Sequence, residues 1–95
     1  MDNDLSDLLR QHIEIPFPTG VVKGDQYGLV NSVMIGADIY GWASRVAAGE
    51  DLPEIEQRRL MEARDELLAS LDAFPPEARP YYELVARVGT QALRQ

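Results

Sequence analysis

The chain has 95 residues, no cysteine, 45% apolar and 26% charged residues, and a formal net charge of −7. That length fits one small helical domain over residues 1–95 with a single core, and the composition argues against wholesale disorder. Disulfides, thiolate metal sites and thiol nucleophiles are excluded, and the acidic balance repels nucleic acid, whose phosphates require a basic stripe that is missing here.

From Asp4 to Ile13, Leu5, Leu8, Leu9 and Ile13 recur at helical spacing, with Asp2 or Asp4 as a cap, and predict a short amphipathic helix. His12, the only histidine, falls in its last turn, where the helix dipole favours a cation, and reads as a boundary side chain. The opening MDNDLSDLLRQ is acidic and lacks the basic start and apolar run of a secretory signal, so a cytoplasmic protein is expected. Ile15-Pro16-Phe17-Pro18-Thr19-Gly20 then breaks the helix, because each proline biases the residue before it toward extended geometry. Residues 14–24 read as an extended connection laid over the core, anchored by Phe17 and without a strand partner. Gly20–Asp25 carries glycines and a lysine ahead of a helix, but the lysine precedes the second glycine and Asp25 would repel an anion, which argues against a phosphate loop. Asp25 is expected to cap the next helix.

Tyr27–Ala48 is the longest apolar stretch and the expected central helix. At ~100° per residue, Leu29, Val33, Gly36, Tyr40 and Ala47 fall on one side and Val30, Met34, Ala37, Gly41 and Ala48 beside them. Together they make a wide surface expected to face the core. Asn31, Asp38 and Arg45 argue against a membrane span, since each is costly in hydrocarbon. They share the third side with Ile35, Ile39 and Trp42, and a tryptophan ringed by polar groups is typical of an interface. Asn31, Ile35, Asp38, Ile39, Trp42 and Arg45 are therefore the candidate interface residues. Burial of the same stripe beneath the proline-rich connection or the first helix is the competing expectation.

Gly49 is the expected stop of this helix, and Asp51-Leu52-Pro53-Glu54 has the form of a capping box opening the next. From Pro53 to Phe74, Ile55, Leu60, Ala63, Leu67, Leu71 and Phe74 define one face, widened by Leu52, Met61 and Leu68. The opposite face is acidic, with Glu54, Glu62, Asp65 and Glu66; these read as solvated acids, because carboxylate di-iron sites in bundles also need Glu-x-x-His pairs that one histidine cannot supply. Pro75-Pro76 ends the helix. Pro80 opens a last one reaching about Leu93, with Tyr81, Leu84, Val85, Val88 and Ala92 as its buried stripe and the tyrosine hydroxyls at the rim. A helical turn at Glu77–Arg79 fits ahead of it.

The expected fold is all-α: a small four-helix bundle with a short N-terminal helix, an extended Pro-rich connection, a long central helix and two further antiparallel helices. His12 would have to form any Ser-His-Asp triad with Ser6, Ser32, Ser44 or Ser70, none in the context of an activated nucleophile. No enzyme activity, cofactor, metal, nucleic acid or membrane is expected. The function expected is protein-protein association through the central helix, as a homodimer or by docking a partner. The alternative is an inhibitor of the immunity or antitoxin type that masks a basic enzyme with its acidic face.

Overall fold

The computed structural model describes residues 4–95. Four helices carry most of the chain: α1 (Asp4–Glu14), α2 (Met34–Ala47), α3 (Glu54–Ser70) and α4 (Arg79–Leu93). Between α1 and α2 lies a two-stranded antiparallel hairpin of β1 (Gln26–Tyr27) and β2 (Val30–Asn31), which pairs Gln26 with Asn31 and Tyr27 with Val30. No helix among the described residues is long and apolar enough to cross a membrane.

Leu5 and Leu9 turn inward from α1, as the periodicity predicts, whereas Ile13 stands 66% exposed at its end. Asp2, one of the two candidate caps, lies outside the described residues. Residues 15–25 hold no helix or strand, but they are folded into successive turns rather than drawn out: Val21 N–H donates to Pro18 and Asp25 N–H to Val22. Phe17 packs partly on the core with Lys23 over its ring, and Val21 is the residue of this segment that is fully buried.

The expected helix from Tyr27 begins only at Met34. Gly28 at φ +62, followed by Leu29 at negative φ, makes the two-residue turn of type II′ that matches the twist of paired strands. The cap is also displaced. Asn31 Oδ1 accepts from the amides of Val33 and Met34, satisfying two donors of the first turn, while Asp25 contributes its backbone carbonyl to Ser32 N–H.

At its other end α2 stops where the sequence indicates. Gly49 at φ +95 donates to Val46, and Glu50 donates to Arg45, the paired bonds of a Schellman motif. The capping box does not form, because Pro53 remains extended at ψ 153 and α3 starts at Glu54, beyond reach of the required register. The Gln57 side-chain amide instead donates to the Leu52 carbonyl.

α2 and α4 each pack against every other helix. Of the two, α4 is the more deeply enclosed, burying Tyr82, Leu84, Val85, Ala86, Val88, Gly89 and Ala92, so it shares the central position expected of α2 alone. Leu60 and Leu67 fill the space from α3, while Ile55, expected on its buried face, is 54% exposed. Tyr82, expected with its hydroxyl at the rim, is completely buried and donates to the Ser32 carbonyl at the entrance to α2. Its ring stacks on Phe74, and Phe74 on Tyr27, so one aromatic column ties the hairpin to the junction of α3 and α4. Ser70 at the end of α3 completes the tie by accepting Leu29 N–H at 2.8 Å.

Candidate functional site

Along α2 the inward positions are Ile35, Gly36, Ile39 and Ala43. Ile35 and Ile39 are 6% and 0% exposed, which removes both from the candidate interface. Ile35 and Ile39, expected on the third side, thus face the core, whereas Met34, Ala37 and Gly41, expected to face it, are exposed. Large aliphatic side chains gain far more from burial, at roughly 25 cal/mol per Å², than glycine and alanine do. α2 accordingly turns its isoleucines to the core together with Gly36 and Ala43, and leaves Ala37 and Gly41 outward.

The outward stripe consists of Met34, Ala37, Asp38, Gly41 and Ala48, all exposed, with Arg45 half-exposed along the same line. These positions follow the spacing of one helix face. Nothing lies within contact distance of a Cβ placed on Gly41. Asp38, Gly41 and Ala37 combine with the edge of Trp42 and with Arg45 to line a hollow of about 330 Å³. Trp42 itself is half-buried and packs on the core from this edge.

The polar members of the sequence-derived set have individual duties. Asn31 caps α2. Arg45 donates to Glu50 and to Glu56, linking the end of α2 to the start of α3; these two carboxylates, Glu50 first, hold the guanidinium above its ordinary pKa. That group carries one cation against two anions. Asp38 makes no ion pair among the described residues.

A second hollow, about 350 Å³, adjoins the first through Ala37 and is lined by His12, Ile13, Gly36, Ala37, Tyr40 and Tyr81. Here three elements converge: His12 from the last turn of α1, Tyr40 from α2 and Tyr81 from α4. The His12 ring lies 5.4 Å from that of Tyr40 and 5.6 Å from that of Tyr81, and its Nε2 is 3.4 Å from Tyr81 Oη. Burial lowers the pKa of His12 and raises that of Tyr81, so both are neutral near pH 7. Sequence reasoning missed this cluster. Gly36 and Tyr40 are four residues apart and share a helix face, but which helix ends meet that face depends on crossings that no local pattern records.

On the acidic side, Glu54 stands 3.9 Å from Arg58, Asp65 accepts from Arg64 at 2.9 Å, and Glu62 and Glu66 are exposed without a basic partner among the described residues. No group of three or more metal-binding side chains converges among the described residues. The serines are equally remote from nucleophilic duty in two cases: Ser32 Oγ bridges Val22 and Gly24, and Ser70 Oγ holds Leu29. No protein-family model matches the chain, and neither a curated protein nor a solved structure does.

Proposed function

We propose that the protein is a non-enzymatic docking module that seats a basic amphipathic helix of a partner along the outer face of α2. The observation that carries this reading is the exposed run of Met34, Ala37, Gly41 and Ala48 alongside Asp38 and Arg45, which leaves more uncharged surface than a solvated helix face needs. Small residues allow a second helix to approach closely, and the hollow lined by Ala37, Asp38, Gly41, Trp42 and Arg45 offers a seat for one of its side chains. Charge selects the occupant. Asp38 lies in the stripe, Arg45 is outweighed by Glu50 and Glu56, and the chain as a whole carries −7. A second copy would bring like charges together, whereas a basic helix is attracted. The acidic members of α3, Glu54, Glu62, Asp65 and Glu66, extend the same negative potential without needing to be the contact surface.

Trp42, the only tryptophan, borders the groove and reports on it directly. An amphipathic peptide of leucine, alanine and lysine should shift Trp42 emission saturably, and its glutamate counterpart should not. Gly41→Glu, at an open helical position, should not lower the melting temperature and should weaken the lysine peptide at least about tenfold, or ~1.4 kcal/mol. Equal binding of both peptides, or a concentration-dependent dimer in sedimentation that Gly41→Glu abolishes, would overturn the basic-helix reading, the latter in favour of a second copy.

A further inference from the structure

The hollow over Gly36 has a chemistry of its own. Its lining includes Tyr40, Ile13 and Ala37, and beside Gly36 the polar atoms His12 Nε2 and Tyr81 Oη come within 3.4 Å of each other. A Cβ built on Gly36 would sit 3.8 Å from Nε2 and 4.0 Å from Oη, so the absent side chain is what leaves both atoms approachable from the hollow. At 3.4 Å their mutual contact is long for a bond involving a hydroxyl, and neither atom has another partner among the described residues. Both retain hydrogen-bonding capacity toward a third atom.

We propose that this hollow binds an uncharged aromatic ring bearing a hydroxyl, a phenol, with the ring against Tyr40 and the hydroxyl between His12 Nε2 and Tyr81 Oη. A hydroxyl both donates and accepts, so it satisfies the pair whichever imidazole tautomer is present. A carboxylate or phosphate finds no cation here, since burial keeps His12 neutral. An ammonium group finds no carboxylate in the lining. The apolar remainder favours a flat ring, which gains offset or tilted contacts with Tyr40. This pocket does not rest on the partner-helix reading, because its floor is Gly36 and its polar atoms come from α1 and α4.

The test is a titration with p-cresol and, in parallel, with N-acetyltyrosinamide, followed by the nitrogen and proton resonances of the His12 ring. Wild type should show saturable shifts with p-cresol. Tighter binding of p-cresol identifies a free phenol as the source of the ring, and equal or tighter binding of the tyrosinamide identifies a tyrosine presented by a polypeptide. Gly36→Ala places its methyl at ordinary contact distances, so the fold is kept while the approach to both polar atoms is covered; binding should fall at least about tenfold. Tyr81→Phe should weaken it about tenfold with the ring wall retained. Gly41→Glu, which tests the helix groove, should leave p-cresol binding unchanged. Absence of saturable shifts in wild type, or undiminished binding in a folded Gly36→Ala variant, would overturn the proposal.

Discussion

His12 illustrates how one side chain reports its surroundings. Burial among Tyr40 and Tyr81 lowers its pKa from 6.5, because the imidazolium loses water without gaining a carboxylate. The folded state therefore binds fewer protons than the unfolded chain just below that value, and stability rises with pH in this window. Above about pH 6.5 the contribution is fully present; as pH falls it is lost until the depressed folded pKa is passed. Tyr81, whose pKa burial raises, does not titrate there. Urea midpoints measured from about pH 5 to 8 should decline on the acid side of this range in wild type and stay nearly flat in His12→Gln. An identical slope in both chains would show that His12 carries no such linkage.

Elements show which signals the sequence transmits and which it does not. Helix existence was legible in the spacing of Leu5 and Leu9, in the Gly49 stop and in the prolines before α4, because each acts within one or two turns. The hairpin was not, since two residue pairs are too few to set up an alternating pattern, and the apolar run through Tyr27, Leu29 and Val30 imitates a helix. What forms it is a turn plus distant support: Gly28 at φ +62 and Ser70, forty-odd positions later in the chain, holding Leu29. A Cβ on Gly28 would fall 2.7 Å from Ser70 Oγ in a left-handed conformation that itself costs about 1–2 kcal/mol. Gly28→Ala should therefore lower stability by about 2–3 kcal/mol in a denaturant melt. A loss below about 0.5 kcal/mol would mean that the hairpin folds independently of α3. The candidate site suffered a related error. The wheel of α2 grouped its residues into arcs, but a wheel has no inside, and the weight of Ile35 and Ile39 against Ala37 and Gly41 decides which arc meets the core. Asp38, Trp42 and Arg45 line the outer hollow, while Ile35 and Ile39 are core.

For the molecule as a whole, the charge of −7 acts on folding and on docking with opposite sign. Within the chain, Glu62 and Glu66 on α3 and Asp38 on α2 add to self-repulsion that opposes the compact state. Toward a basic helix the same acids are attractive, and they speed encounter as well as hold the complex. Raising ionic strength from about 0.1 to 1 M shortens the screening length from about 10 to 3 Å, which removes most interactions between exposed charges and leaves buried apolar contact intact. Salt should therefore raise the denaturation midpoint modestly while weakening the lysine peptide. Sodium chloride is the suitable titrant, since more strongly excluded salts also strengthen apolar burial. The two responses are separable in one chain, with urea melts for the first and Trp42 emission for the second. If the electrostatic part of docking is carried by Asp38, Asp38→Asn should flatten the salt dependence of peptide binding while barely moving the melt. Peptide affinity that is indifferent to salt in wild type would leave only the apolar stripe of α2 as the determinant, and would remove the reason for preferring a basic partner over an apolar one.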